Sequence, residues 1–192
     1  MSPRRILRGL VTLMAMVTVG FGATAVAAAP AAAAPSQLAA TVCYNTSQAG
    51  PFASYANQAA SIWNNATNNV TLSQCGSNLR IYYTYGGGSY AVRYSLGNGY
   101  VVIDYYQAQQ YSPLRIMTHE IGHILGLPDN YNGSCAILMS GGSAGTSCTN
   151  PYPSSSEAAR VDQLFAGRLA GTDRVGTTVF QDSWPAMAGA LN

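Results

Sequence analysis

Residues 118–131 have the sequence THEIGHILGLPDNY, which is the most informative motif in this chain. The chain has 192 residues and only two histidines, and both lie in this stretch, four residues apart, with a glutamate directly after the first. Only 8% of all residues are charged. In so uncharged a chain, a cluster of ionisable side chains indicates a functional site rather than ordinary surface solvation.

On an α-helix, residues four apart lie one above the other, so His119 and His123 point the same way and can hold one metal ion. Glu120 is rotated by about 100° from His119 and can instead reach a metal-bound water as a general base. A zinc ion there would lower the pKa of the water to about 7 and polarise a carbonyl. The stretch therefore predicts a zinc hydrolase.

A catalytic zinc site needs three protein ligands and an open position, so a third ligand has to be found. Gly126 can adopt a left-handed conformation that ends the helix, and Pro128 prevents the helix from resuming. The returning chain would then bring Asp129 over the metal. Asp129 is the predicted third ligand because it is the only carboxylate within reach other than Glu120. The alternative is that the His-Glu-x-x-His pattern arises by chance in an ordinary helix.

The N-terminus has the pattern of a secretory signal peptide. Three arginines precede a charge-free apolar run at 9–24, and small residues follow it. We predict a signal peptide at 1–34, cleaved within 27–34, with little or no propeptide. The alternative, a membrane anchor, is disfavoured because the run is shorter than the ~20 residues of a span. The mature chain would be secreted, without membrane association.

Charge also narrows the possible partners. The chain has nine arginines and no lysine, and removing 1–34 removes three of them. Six arginines then face seven acidic residues, a net charge of −1. No basic field remains that could bind nucleic acid, so that class of partner is not expected. The partners expected instead are protein or peptide substrates, and the expected state is a monomer.

All four cysteines lie in the part that would be exported, at 43, 75, 135 and 148. An oxidising compartment and an even count favour two disulfides. Three pairings are possible, and we favour Cys43–Cys75 and Cys135–Cys148. The second would close a short loop just after the motif. A cysteine zinc site is the alternative, but it needs the CxxC-type spacing that this sequence lacks.

Hydrophobic periodicity predicts an α/β or α+β domain over 35–169. Ser112 and Pro113 are typical of a helix start, and Ser154 with Glu157 forms a capping box. Glycines at 86–88 and 97–99 predict hairpins between the last three strands. The tail at 170–192 shows no clear period and is expected to be loose, with an unknown role. The predicted strands are 40–45, 70–75, 79–85, 89–95 and 100–106, and the predicted helices are 52–67, 112–126 and 154–169.

HEIGHILGLPD (119–129) resembles the zinc motif of metzincin metalloproteases, in the form with aspartate as third ligand. That form is typical of the snapalysin family, small neutral proteases secreted by actinobacteria. CAILMSGG (135–142) resembles the family's Met-turn, and the segments 99–112 and 147–161 resemble those before and after it. The resemblance covers about 40–169.

The resemblance implies a metzincin-type α+β fold. It has a small, mixed, twisted sheet of about five strands, a long N-terminal helix, a zinc-binding helix, the Met-turn and a C-terminal helix. It also implies a secreted zinc endopeptidase with one zinc per chain, cleaving before aromatic residues. The strand at 89–95 would pair with extended substrate. Met139 would lie beneath the metal in a structural role. Tyr131 would support the oxyanion, although a tyrosine packed against the Met-turn is the alternative.

The sequence departs from the family in one respect. Members can bind calcium through an acidic residue and a threonine before the zinc helix, and those places here hold Ser112 and Leu114. Because a carboxylate is missing where calcium would need one, a calcium site is not expected.

Two other functions are compatible with a zinc-binding helix. A non-proteolytic zinc hydrolase such as a deformylase would use a cysteine ligand and would lack the Met-turn. An inactive binding module on a protease fold would not need Glu120, which is intact here.

Overall fold

Residues 38–169, 177–181 and 184 are described by a computed structural model of the chain. All of them belong to one compact unit that spans residues 36–192. The predicted signal peptide at 1–34 lies outside the described residues. Within the described ranges, no helix combines the length and the apolar character needed to cross a membrane.

A six-stranded mixed sheet forms the centre of the fold, with strand order β2-β1-β3-β5-β4-β6. The neighbours from β2 to β5 are parallel, whereas β4 is antiparallel to both β5 and β6. This mixed sheet confirms the predicted α+β class. The strands are β1 Ala40–Gln48, β2 Val70–Ser73, β3 Leu79–Thr84, β4 Tyr90–Ser95, β5 Asn98–Asp104 and β6 Thr178–Gln181.

Four helices accompany the sheet, and the three long ones were predicted. Ser112 caps the histidine-bearing helix by accepting a hydrogen bond from the Arg115 N–H, at 3.4 Å. The short second helix was missed, because its aromatic and glutamine-rich sequence has no helical period; Asp104 caps it. The helices are α1 Ala53–Ala66, α2 Tyr105–Gln110, α3 Pro113–Ile124 and α4 Ser155–Leu169, with 3-10 turns at Gly50–Phe52 and Leu138–Ala144.

Two predictions about the sheet were wrong. The glycines at 86–88 do not form a hairpin, because β3 pairs with β5 in parallel and β4 lies beyond β5. Their loop instead passes over the end of β5, where Asp104 accepts hydrogen bonds from the Gly86 and Gly88 N–H groups. The hairpin at 97–99 does form, between β4 and β5. The tail at 170–192 was expected to be loose, but it contributes β6 as a sixth strand to the predicted mixed sheet of about five.

The cysteines pair as expected, Cys43 with Cys75 and Cys135 with Cys148. Cys43 lies on β1 opposite Ser73 of β2 in a parallel register, so the first disulfide closes the β1-α1-β2 crossover at one end. No described cysteine is free.

The core fixes the position of α3. Every residue of that helix from Arg115 to Ile124 is buried. The indole of Trp63, on α1, is fully buried and donates to the Thr118 carbonyl at 3.0 Å. Thr118 directly precedes His119 in the chain, so the packing of α1 against α3 fixes the position of the two histidines relative to the sheet.

Candidate metal centre

The two histidines of α3 converge at a single point. Both side chains are fully buried, and the Nε2 atoms of His119 and His123 lie 3.1 Å apart. Two imidazole nitrogens this close together can both bind a single metal ion.

Backbone carbonyls fix the tautomer of each ring. The Nδ1 of His119 lies 3.0 Å from the Leu138 carbonyl oxygen, and the Nδ1 of His123 lies 2.8 Å from that of Leu127. A carbonyl can only accept, so each Nδ1 carries the proton and donates. Each Nε2 therefore presents its lone pair, which is the arrangement of metal-ligating histidines with their outer partners.

Asp129 completes the group. Its Oδ1 lies 3.4 Å from both Nε2 atoms. Ligand atoms held by a tetrahedral zinc at about 2.0–2.1 Å stand about 3.3 Å from one another. The observed triangle of 3.1, 3.4 and 3.4 Å matches that spacing, so the donor set fits zinc in both chemistry and size.

The turn after α3 produces this geometry. Gly126 has φ +106°, and its N–H donates to the His123 carbonyl while the Leu127 N–H donates to that of Gly122. A Cβ on Gly126 would lie 2.6 Å from a methyl group of Leu164, so another residue would have to displace that side chain as well as adopt a strained φ. The same turn aims the Leu127 carbonyl at His123 and brings Asp129 back over the helix.

The Met-turn supports the site from below. Met139 is buried, and a Cβ on Gly122 would lie 2.9 Å from its sulfur, so glycine between the two histidines allows the sulfur to pack against α3. The Met139 carbonyl accepts the Asn130 N–H at 2.8 Å, next to Asp129. This packing agrees with a structural role for Met139.

Two buried ionic side chains hold the Met-turn, and the sequence analysis missed both contacts. The Glu157 carboxylate accepts the N–H groups of Leu138 and Met139 at 3.1 and 2.8 Å. Arg115 donates to the Leu138 carbonyl at 3.3 Å. Burial lowers the pKa of Arg115 from its ordinary value, and the Glu157 carboxylate opposes that shift. The sequence indicated Glu157 only as a helix cap. Arg115 could have been recognised as a structural residue, because it is a charged residue within an apolar stretch.

The disulfide Cys135–Cys148 closes a loop that contains the Met-turn, and replacing both cysteines by serine should loosen the metal centre. A loop of this length is worth roughly 3 kcal/mol of unfolding free energy in the chain-entropy account. The Leu138 carbonyl that orients His119 lies inside the loop. We expect faster loss of metal to a chelator and a lower midpoint in urea.

The matched control replaces Cys43 and Cys75, whose bond closes a longer loop, 32 residues against 13. That variant should lose at least as much stability but should release metal at the rate of the unaltered protein. Equal metal release from the two variants would contradict the link between the loop and the metal centre.

The other two candidate residues are Glu120 and Tyr131. Glu120 is fully buried on α3, beside the first histidine in the chain. Tyr131 is 45% exposed, and its ring faces the same glycine as the ring of His119: a Cβ on Gly141 would lie 3.2 Å from both rings. The structure thus brings His119, His123 and Asp129 together and places Tyr131 next to His119.

Two aromatic residues of the tail were not predicted here. Phe180 stacks on the His123 ring and Trp184 lies edge-on to the His119 ring. Neither carries a sequence signal, because nothing local links them to a motif more than fifty residues earlier.

A mixed sheet with an antiparallel β4, a buried helix bearing two histidines and a carboxylate returning over them together define a metzincin-type protease domain. The comparison with known families gives the particular one. The chain belongs to the Streptomyces extracellular neutral proteinase (M7) family, whose model matches residues 39–168. The predicted resemblance to the snapalysin family is therefore confirmed.

Individual relatives agree with this assignment. The chain is 51% identical over 142 residues to the "Extracellular small neutral protease" of Streptomyces coelicolor, covering 72% of this chain and 66% of that protein. The protein of the same name from Streptomyces caespitosus is 48% identical over 129 residues, 66% of this chain and 97% of that protein. The chain thus spans just under two thirds of the Streptomyces coelicolor relative and almost all of the Streptomyces caespitosus one.

Proposed function

We propose that the chain is a secreted zinc-dependent endopeptidase whose metal is held by His119, His123 and Asp129. The single observation that carries the proposal is the triangle of two Nε2 atoms and one carboxylate oxygen, spaced as the ligands of one tetrahedral zinc. The name of these relatives, extracellular small neutral protease, supports both the activity and the location outside the cell.

When bound, zinc would lower the pKa of a water molecule and polarise the scissile carbonyl. Glu120 takes the proton from the attacking water and gives it to the leaving nitrogen, so the peptide bond is replaced by a carboxylate and an amine. Its position directly after His119 on α3 supports this role, because a general base has to lie within reach of the water that it deprotonates. Tyr131, beside the His119 ring, donates to the carbonyl oxygen as negative charge develops on it.

Substrate is an extended peptide that pairs with the edge of β4. The substrate residue on the C-terminal side of the scissile bond carries an aromatic side chain. Ser112 and Leu114 offer calcium no carboxylate, so zinc is the only metal proposed, at one ion per monomer.

Metal removal tests the proposal. We expect the secreted protein to cleave casein, to lose all cleavage after dialysis against a zinc chelator, and to regain it with one equivalent of zinc. A non-proteolytic hydrolase would fail on casein but act on small amides in a zinc-dependent way. An inactive binding module would bind zinc and cleave neither. Cleavage that persists at full rate in metal-free protein would contradict the proposal.

A further inference from the structure

Residues outside the catalytic domain reach the metal centre. The match to the family ends at residue 168, yet β6 pairs antiparallel with β4, from Tyr90 opposite Gln181 to Arg93 opposite Thr178. The other edge of β4 is bonded to β5. One strand edge can pair with only one partner, so β6 occupies the edge that an extended substrate would need.

Phe180 covers one histidine. Its ring lies parallel to that of His123, with 4.3 Å between the centroids and 11° between the planes. The guanidinium of Arg93 lies 4.9 Å from the centroid of the same Phe180 ring and donates to the His123 carbonyl at 2.6 Å. Arg93, on β4, therefore contacts both the Phe180 ring and the end of α3 that carries His123.

Trp184 covers the other histidine. It is only 3% exposed, and its ring lies 5.5 Å from that of His119 and 5.1 Å from that of Tyr111, edge-on to both. The amide of Gln107 donates to the Trp184 carbonyl at 3.3 Å. Each of the two histidines is thus in contact with one aromatic side chain from the C-terminal segment.

The family match does not include this segment. The Streptomyces caespitosus relative is 97% covered by 129 residues of this chain, which is about the length of the family match at 39–168. In the sheet, β6 is an end strand with β4 as its single neighbour. The described residues of the segment, 177–181 and 184, lie beyond the family match, and two of their side chains contact the histidines.

We propose that the C-terminal segment bearing β6 and Trp184 is an internal competitive ligand of the protease's own substrate cleft, which weakens substrate binding until the segment leaves. It occupies the edge of β4 as a peptide strand does and places one aromatic side chain on each histidine. The inference rests on the proposed function in one respect, namely that substrate pairs with that same edge.

The first test compares variants of the full mature chain on a fluorogenic peptide. Replacing Phe180 and Trp184 by alanine should lower KM at least tenfold and leave kcat nearly unchanged, because an internal ligand reduces only the fraction of molecules with a free cleft. Val179→Ala is the matched control, since that side chain lies on the same strand and is 60% exposed. It should behave as the unaltered chain does.

The second test does not depend on turnover. A synthetic peptide of residues 177–184 is titrated by calorimetry into the Phe180→Ala/Trp184→Ala protein that also carries Glu120→Gln, and into the Glu120→Gln protein with its tail intact. We expect one peptide to bind the first protein and none to bind the second. In the active double variant, the same peptide should raise KM without changing kcat.

The outcomes separate this inference from the proposed function. If the peptide binds as expected but no variant cleaves casein, the endopeptidase proposal fails and the internal ligand stands. If all variants cleave with the same KM and the peptide does not bind, the internal ligand is overturned and the endopeptidase stands. A double variant that is unfolded at the assay temperature would show the segment to be part of the required core, and would also overturn the inference.

Discussion

Replacing Glu120 by glutamine is expected to lower kcat by about 10²–10⁴-fold, which is the contribution that a positioned acid–base group makes. The amide keeps the shape of the side chain but can neither accept the proton of the attacking water nor return one to the leaving nitrogen. Zinc content should not change, because none of the three proposed ligands is altered. The protein should be as stable as before or more so, since a fully buried carboxylate is replaced by a neutral group.

The matched control makes the same change far from the metal centre. Asp162 accepts hydrogen bonds from the N–H groups of Asn68 and Asn69, both at 2.8 Å. Asp162→Asn should reduce stability modestly, through the loss of charged acceptors, and leave kcat unchanged. Steady-state kinetics with zinc content measured on the same samples decides the matter. A Glu120→Gln protein with more than a tenth of the original kcat would remove Glu120 from the role of base.

The metal centre could be predicted because its geometry is local. His119 and His123 share a helix face, and Gly126 turns the chain back so that Asp129 reaches the same point. Each of these relations spans only a few residues and follows from the pitch of a helix and the backbone freedom of one glycine. The disulfides were predictable for a similar reason, since Cys135 and Cys148 flank a single loop.

The strand order could not be predicted in the same way. The glycines at 86–88 are typical of a hairpin, but strand pairing is decided by which edges remain free and not by the turn sequence alone. Here β1 and β5 occupy both edges of β3, so β4 is placed beyond β5. A local turn signal carries no information about a third strand that arrives later in the chain.

Contacts between side chains and distant parts of the chain also could not be predicted from the sequence. Glu157 caps α4 through Ser154, and that contact has a three-residue spacing that can be read directly. Its second contact, with the Leu138 and Met139 N–H groups, joins α4 to the Met-turn across 18 or 19 residues of chain. Likewise, Phe180 and Trp184 lie in a segment without periodicity, and only the folded sheet places them on the histidines.

Replacing Asp129 by alanine is expected to abolish stable zinc binding, and activity with it. Loss of a residue that merely hydrogen-bonds to a metal ligand costs about 10–100-fold in metal affinity, and loss of a ligand itself should cost more than that. The two histidines would remain as a pair of neutral ligands, without the negatively charged ligand that Asp129 supplies. We therefore expect purified Asp129→Ala protein to hold close to no zinc after dialysis, against one zinc per chain in the unaltered protein.

The neighbouring substitution Asn130→Ala is the control for this loss of zinc. Asn130 is exposed and fixes the loop through its backbone N–H, which donates to the Met139 carbonyl at 2.8 Å and is kept in the variant. That protein should retain its zinc, so a loss confined to Asp129→Ala would reflect the carboxylate and not a disturbed loop. Elemental analysis of both proteins, with thermal unfolding to show that each is folded, makes the comparison. Full zinc occupancy in Asp129→Ala would mean that the third ligand is a different group, even though the Oδ1 of Asp129 lies 3.4 Å from both histidine Nε2 atoms.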